Sequence, residues 1–107
     1  MFNDESVETP GSINNWALQT FGPDGSDMVV AARANEEMAE LIRAIASGKS
    51  KEDIAEEAAD VIIVLCRIFN RCDTTMWSAI DRKMSINRKR KWKKLDDGTG
   101  YHIREEK

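Results

Sequence analysis

Residues 58–69 read AADVIIVLCRIF, and this apolar stretch constrains the architecture more strongly than any other. Within it only Asp60 and Arg67 are charged. A helix that is apolar around its whole circumference is typically buried by neighbouring helices. The stretch therefore predicts a central helix that the rest of this short chain cannot cover alone. We expect a second subunit to complete the helical bundle.

Chain-breaking residues on both sides of this stretch divide the sequence into segments. No segment between the breaks alternates apolar and polar residues for long enough to predict a strand. The periodicity instead predicts an all-α chain of four helices with short connections. We expect these helices at residues 12–20, 26–46, 50–70 and from 76 towards Leu95, followed by a C-terminal tail over 96–107 that begins with a turn at 96–100.

Local residue types indicate where these helices begin and which faces they bury. Ser12 is the predicted N-cap of the first helix, and Ser50 begins a variant of the capping box at the third. Trp77 lies on the apolar stripe of the fourth helix and is predicted to be a core residue. The second helix carries an apolar stripe that we expect to face the core, formed by Met38, Leu41, Ile42 and Ile45.

The composition is that of one globular domain. The chain has 107 residues, 41% hydrophobic and 33% charged, which predicts a single domain over 1–107 with its core at about 12–95. Its longest apolar run, residues 61–66, is far shorter than the roughly 20 residues that a membrane-spanning helix needs. The opening MFNDE has neither the basic start nor the apolar core of a secretory signal. We therefore expect a cytoplasmic protein with free thiols at Cys66 and Cys72.

Charge is divided unequally between the two halves of the chain. Residues 1–60 carry 13 acidic and 4 basic side chains, a balance of −9, whereas residues 61–107 carry 6 acidic and 12 basic, a balance of +6. The two balances sum to the net charge of −3. The basic half could bind nucleic acid, or the acidic half could hold cations while the basic half holds phosphates.

Two acidic clusters with the same spacing lie on the second and third helices. At about 100° per residue, the acids of each cluster span a fan of about 100° on their helix. On the third helix the apolar Ile63 and Val64 continue the acidic face, so these acids are drawn towards the interior. A solvated surface is the simpler interpretation of either cluster alone. The clusters read Glu36-Glu37-x-x-Glu40 and Glu56-Glu57-x-x-Asp60.

Carboxylates that are drawn together towards an interior predict a bound cation, because burying like charges is costly unless a cation neutralises them. All-oxygen ligands select Mg²⁺, Mn²⁺ or Ca²⁺ rather than Zn²⁺. Helical di-iron sites use Glu-x-x-His pairs, and neither helix carries a histidine. Mg²⁺ is therefore the expected cofactor, with Mn²⁺ as a possible replacement.

The acidic clusters also carry a family resemblance. Glu36-Glu37-x-x-Glu40, followed after sixteen residues by Glu57-x-x-Asp60, resembles the signature of the MazG-like all-α nucleoside triphosphate pyrophosphohydrolases. Their superfamily also contains dimeric dUTPases and phosphoribosyl-ATP pyrophosphatase. The segments WALQTFGP (16–23), NEEMAEL (35–41) and DRKMSIN (81–87) are similar to small phage and bacterial members, and the resemblance covers about residues 12–95.

This resemblance implies a four-helix MazG-like bundle completed by a homodimer or homotetramer. It implies hydrolysis of a nucleoside triphosphate to its monophosphate and pyrophosphate, and we favour deoxynucleotides because similar small members act on them. The implied metal ligands are Glu37, Glu40, Glu57 and Asp60. Glu36 is implied as the catalytic residue that orients or deprotonates the attacking water.

The basic fourth helix bears further predicted substrate contacts. Lys83, Asn87 and Lys91 recur every four residues, and a triphosphate carries more negative charge than one Mg²⁺ neutralises. The resemblance places Lys83 on phosphate, Asn87 on phosphate, sugar or base, and Trp16 near the nucleobase.

Two other functions remain open from the sequence. A nucleic-acid-binding helical module would use the basic segment 88–94, whereas a helical dimer could have an interaction role only. Neither function requires two acidic clusters of matched spacing. The pyrophosphohydrolase is therefore the favoured prediction, and neither a membrane nor a nucleic acid is the expected partner.

Overall fold

A computed structural model of the protein describes residues 7–104, which form four helices followed by a two-stranded sheet. The predicted helical fold is confirmed. Within the described residues, no helix is long and apolar enough to cross a membrane. The opening MFNDE, in which we expect no secretory signal, lies outside this range. The elements are α1 (Pro10–Phe21), α2 (Asp27–Ala46), α3 (Lys51–Arg71), α4 (Met76–Lys89), β1 (Lys91–Lys94) and β2 (Gly100–Ile103).

Hydroxyl side chains cap the first three helices. Ser26 caps α2 and Ser50 caps α3, and each accepts a hydrogen bond of 3.1 Å from the backbone N–H three residues ahead. The prediction of Ser12 as the cap of α1 was wrong. Thr9 is the N-cap, and Ser12 completes a reciprocal capping box with it, because Pro10 already suits the first helical position.

The prediction that the fourth helix runs towards Leu95 was also wrong. α4 ends at Lys89, and the next residues form β1, which pairs antiparallel with β2. The predicted turn at 96–100 closes this hairpin, where the Asp97 carboxylate accepts hydrogen bonds from the N–H and the hydroxyl of Thr99 at 2.9 and 2.6 Å. Strands of four residues are too short for alternation to stand out in the sequence.

The structure divides between Met76 and Trp77 into two compact units. In the first unit, α2 packs along α3 as an antiparallel pair and α1 packs against α3. In the second unit, α4 leads into the hairpin, and the indole N–H of Trp92 donates a hydrogen bond of 2.9 Å to the backbone carbonyl of Asn87. The assignment of residues 1–107 to one domain stays a prediction.

The interior of the first unit combines small apolar side chains with one acid. The thiol of Cys66 is buried there and that of Cys72 is exposed, and both are free as predicted. Burial raises the pKa of the Cys66 thiol, which keeps it protonated. Small side chains allow α2 and α3 to approach each other closely. The buried residues include Ala17, Val30, Ala34, Glu37, Ala44, Val61 and Cys66.

The apolar stripe predicted on α2 does not face the core. Of its four residues, Leu41 is half-buried and the other three, Met38, Ile42 and Ile45, are exposed, with 59% of Ile42 accessible to solvent. The buried face of α2 instead contains Ala34 and Glu37. The prediction assumed that the face of α2 with the largest apolar side chains is buried. Close packing against α3 instead buries the face that carries small side chains.

One chain does not enclose its central helix. On α3 only Val61 and Cys66 are buried, and Ile62 is exposed. No residue of α4 is buried, and Trp77 is 58% exposed, so its prediction as a core residue was wrong. The apolar character of Trp77 predicted burial, but no partner within the described residues covers it.

We predict that copies of the chain associate through the exposed stripe of α2, because contiguous exposed apolar surface favours association. Light scattering should give the wild type a multiple of the 12.1 kDa chain mass. Ile42→Asp places a charge in the stripe and should shift the mass towards the monomer. Lys49→Asp adds a carboxylate beyond the end of α2 and should keep the wild-type mass. A stable wild-type monomer at micromolar concentration would contradict this prediction.

Candidate metal centre and ligand cavity

Carboxylates from two antiparallel helices converge in the first unit. Oxygen atoms of Glu37 and Glu40 on α2 and of Glu57 on α3 all lie within 4.8 Å of one another. The i, i+3 spacing places Glu37 and Glu40 on one face of α2. Among the described residues, these three form the one group of acids, cysteines or histidines that is close enough to hold a metal ion together.

Glu37 is the buried member of this group, with 7% of its surface exposed. A hydrogen bond with Glu40, followed by burial and the charge of Glu40, raises the pKa of Glu37, and Asp60 adds to the rise. Arg33 opposes the rise through an ion pair of 2.8 Å with Glu37. A buried carboxylate held against other acids favours either a proton or a cation, so this all-oxygen donor set fits a hard divalent ion.

The other predicted acids surround this group in different ways. Asp60 follows Glu57 by one turn of α3 and is close enough to raise the pKa of Glu37, but it lies outside the three-acid group. Glu36 is exposed and forms an ion pair of 3.2 Å with Arg33. Arg33 was not predicted as a site residue. Its position three and four residues before Glu36 and Glu37 on α2 could have predicted ion pairs with these acids.

An apolar cavity of about 540 Å³ lies beside the acids. Glu36, Glu37 and Asp60 line some of its wall, and the predicted Trp16 also lines it. The Trp16 indole meets the Phe21 ring edge-on, with ring centroids 5.5 Å apart. A cavity of this size suits a small organic ligand, for which about 300–1,000 Å³ is usual. Its apolar walls come from all three helices of the first unit and include Trp16, Ala17, Phe21, Val29, Val30, Ile63 and Val64.

A second charged group lines the same cavity. Arg67 on α3 forms an ion pair between Nε and the Asp24 carboxylate at 3.2 Å, and its Nη2 donates to the carbonyl of Gly22 at 2.7 Å. Arg71 also donates to Asp24, at 2.5 Å, and it pairs with Asp27. No role was predicted for this group. Its one signal in the sequence was that Arg67 interrupts an otherwise apolar stretch.

The predicted substrate residues Lys83 and Asn87 lie one turn apart on α4, in the second unit. Lys91 does not continue their stripe, because it belongs to β1. The amide oxygen of Asn87 is buried, and within the described portion of the chain no donor lies within hydrogen-bond distance of it. The pKa of His102 is lowered by burial first and then by the charges of Arg90 and other nearby basic groups. Several basic side chains therefore lie near His102 in this unit.

These features define an all-α protein in which a carboxylate group that fits a divalent metal lies beside a cavity of a size that suits an organic ligand. The sequence profile of the MazG nucleotide pyrophosphohydrolase domain matches residues 27–94. The chain belongs to this family of hydrolases, which act on phosphoric anhydrides.

Two phage proteins named dATP/dGTP diphosphohydrolase are similar to the chain. The protein from Salmonella phage PMBT28 is 37% identical over 91 residues, which cover 85% of this chain and 29% of that protein. The protein from Cyanophage S-2L is 31% identical over 97 residues, which cover 91% of this chain and 87% of that protein. The chain thus spans less than a third of one relative and most of the other.

A solved structure supports the same relationship. It is the Cyanophage S-2L MazG-like pyrophosphohydrolase bound to dGDP and three catalytic Mn²⁺ ions per active site. Its TM-score to this chain is 0.68 at 30% identity, and the match covers 89% of this chain and 93% of that one. The fold of the chain and its family are therefore established by both sequence and structure.

We predict that Glu37→Gln raises the Tm of the metal-free protein at pH 7. Because the pKa of Glu37 is raised in the folded state, its stabilising contribution is complete below its ordinary value of 4.5 and is lost as the pH rises through the raised pKa. The advantage of the variant should therefore disappear in melts below pH 4.5. Glu56→Gln changes an exposed acid on α3 and should leave the Tm almost unchanged at both pH values.

A divalent ion should stabilise the wild type more than it stabilises the Glu37→Gln variant. An ion that binds only the folded state adds about 2.7 kcal/mol at a hundredfold excess over Kd. Mg²⁺ or Mn²⁺ should raise the wild-type Tm, and NaCl of the same ionic strength should raise it much less. A Glu37→Gln variant that melts lower without metal and gains the full increase with metal would contradict the carboxylate site.

Proposed function

We propose that this protein is a divalent-metal-dependent pyrophosphohydrolase that converts a deoxynucleoside triphosphate to its monophosphate and pyrophosphate. The observation that carries the proposal is the convergence of Glu37, Glu40 and Glu57 beside an apolar cavity. The names of the phage relatives support dATP and dGTP as substrates, and the dGDP and Mn²⁺ in the cyanophage structure support a nucleotide and a divalent ion. Mg²⁺ is the proposed ion, with Mn²⁺ as its replacement.

The metal ligands in this proposal are the three converging acids together with Asp60. When bound, the metal neutralises phosphate charge and polarises the phosphoryl group that is attacked. The carboxylates hold it at the wall of the cavity, because Glu37 and Asp60 both line that wall. The triphosphate then lies at the acids, and the base extends into the apolar region of the cavity beside Trp16.

Glu36 is the proposed catalytic residue. Its exposed carboxylate lines the cavity next to the buried Glu37, and Arg33 holds it through the ion pair of 3.2 Å. Glu36 accepts a proton from water while the water oxygen bonds to phosphorus. The anhydride bond to the leaving oxygen breaks, and pyrophosphate departs with the bonding electron pair. The balance is one triphosphate and one water giving one monophosphate and one pyrophosphate.

The contacts of Lys83 and Asn87 with substrate also belong to the proposal. A lysine ammonium suits a phosphate oxygen as a point charge. The side-chain amide of Asn87 can donate to a phosphate or sugar oxygen through its NH₂ group and accept from a base through its oxygen. These two residues are the proposed contribution of α4.

The reaction predicts a specific effect of removing metal ligands. Glu40→Gln and Glu57→Gln should each lower kcat/KM for dATP and dGTP by about 100-fold or more. Mutating a group that only hydrogen-bonds to a metal ligand already lowers activity or metal affinity by about 10–100-fold, and a direct ligand contributes more. Glu56→Gln is the matched control, next to Glu57 but outside the acid group, and should retain wild-type activity. Circular dichroism should show the same helical content in all three variants.

Product analysis separates this reaction from other phosphatase chemistry. Pyrophosphate should be the inorganic product for a panel of the four deoxynucleoside triphosphates, and EDTA should abolish its release. Orthophosphate as the sole inorganic product, or full activity in EDTA, would overturn the proposal.

A second pair of variants tests the contribution of α4. Lys83→Ala should lower kcat/KM by an amount equivalent to about 1.5–3 kcal/mol, the usual value of a hydrogen bond to a charged group. Lys93→Ala removes the same charge from β1 and should have almost no effect. Equal losses from both variants would indicate a diffuse electrostatic effect in place of a specific contact.

A further inference from the structure

We propose that Arg67 binds N7 of a purine base in the apolar cavity and is the residue that selects purine over pyrimidine nucleotides. This inference rests on the proposed function, because it concerns the base of the same nucleotide. It assigns a role to a charged residue that the reaction itself does not use.

The position of Arg67 along α3 suits contact with a base. Asp60, Val64 and Arg67 succeed one another on one face of the helix, and all three line the cavity. Asp60 and Arg67 are seven residues apart, which corresponds to about 10 Å along the helix axis. The wall between them is apolar, with Ile63 and Val64. A nucleotide whose phosphates lie at the acids therefore directs its base towards Arg67.

Arg67 is also held in place. The side chains of Arg67 and Asp24 are only 18% and 14% exposed, and their ion pair measures 3.2 Å. The hydrogen bond of 2.7 Å from Nη2 to the Gly22 carbonyl fixes the plane of the guanidinium. Among the contacts of the described residues, Arg67 uses Nε and Nη2. A guanidinium has five N–H donors, and the two N–H groups of Nη1 take no part in these contacts.

The chemistry of the bases matches such a donor. Adenine and guanine both present N7 as a hydrogen-bond acceptor, and the commonest specific contact in DNA recognition is arginine or lysine bound to O6 and N7 of guanine. Pyrimidines have no N7 and would leave the Nη1 donor of Arg67 without this partner. A site built to donate a hydrogen bond rejects a ligand that lacks the acceptor. The names of the phage relatives include both dATP and dGTP. Because both purines present N7, recognition through N7 accounts for a preference that includes the two of them.

The experiment replaces a single atom of the substrate in the intact wild-type enzyme. The values of kcat/KM are compared for dGTP and 7-deaza-dGTP, and for dATP and 7-deaza-dATP, by pyrophosphate release. Each 7-deaza analogue should be poorer by roughly tenfold to a hundredfold, because it lacks only the N7 acceptor. A general structural role of Arg67 would not distinguish the two substrates of a pair.

Two variants localise the effect. Arg67→Met should cleave dGTP and 7-deaza-dGTP with equal kcat/KM, because the donor to N7 is gone. Arg71→Met also loses an ion pair with Asp24 but does not line the apolar cavity, so it should keep the wild-type ratio. If Arg67→Met does not fold, the wild-type comparison alone still tests the proposal.

The outcomes also separate this inference from the proposed function. Equal kcat/KM for the natural and the 7-deaza substrates in the wild type would overturn the role of Arg67, while pyrophosphate release would still support the reaction. Loss of the ratio in Arg71→Met as well as in Arg67→Met would overturn the assignment to Arg67 in particular. No pyrophosphate from any nucleotide would overturn both proposals.

Discussion

The burial of the Glu37 carboxylate against other acids is the constraint on which the arrangement of α2 and α3 depends. An acid in this position is unfavourable unless it is protonated, paired or bound to a cation. Arg33 supplies one partner from the preceding turn of the helix. The face of α2 that contains Glu37 also carries Ala34, whose small side chain lets α3 come close enough for Glu57 to join the group. Because the face of α2 that carries Ala34 and Glu37 is the buried one, Ile42 on another face of the helix is exposed to solvent.

The cavity beside these acids has a polarity that matches a nucleotide. Along the α3 wall, Asp60 comes first, the apolar Ile63 and Val64 follow, and Arg67, which pairs with Asp24, lies about two helical turns from Asp60. A nucleotide has charged phosphates at one end and a flat base with polar edges at the other. In the proposed function the phosphates lie at the acids and the base lies near Arg67, and α3 carries Asp60 and Arg67 on one wall of the cavity.

Much of the helical framework and of the acidic site was predictable from local sequence. Ser26 and Ser50 begin their helices as expected, because capping depends on residues only three positions apart. Two local predictions failed for different reasons. Pro10 suits the first helical position, so α1 begins after Thr9 and not after Ser12. The hairpin strands are too short to show an alternating pattern in the sequence. The burial of Trp77 was wrongly predicted because apolar character does not by itself provide a partner.

The spacing of acidic residues was enough to predict which two helices carry the converging acids, because that spacing depends on helical periodicity alone. The family was predicted in a different way, from the resemblance of the two acidic motifs to the MazG-like signature. Tertiary packing was needed to show that Glu37 is buried, that Glu40 and Glu57 come within reach of the same ion, and that Asp60 stands outside their group. It was also needed to reveal Arg67 in the cavity, since its partner Gly22 is 45 residues away in the chain. Contacts over such separations depend on how whole helices rotate against each other, and local sequence carries no signal for that rotation.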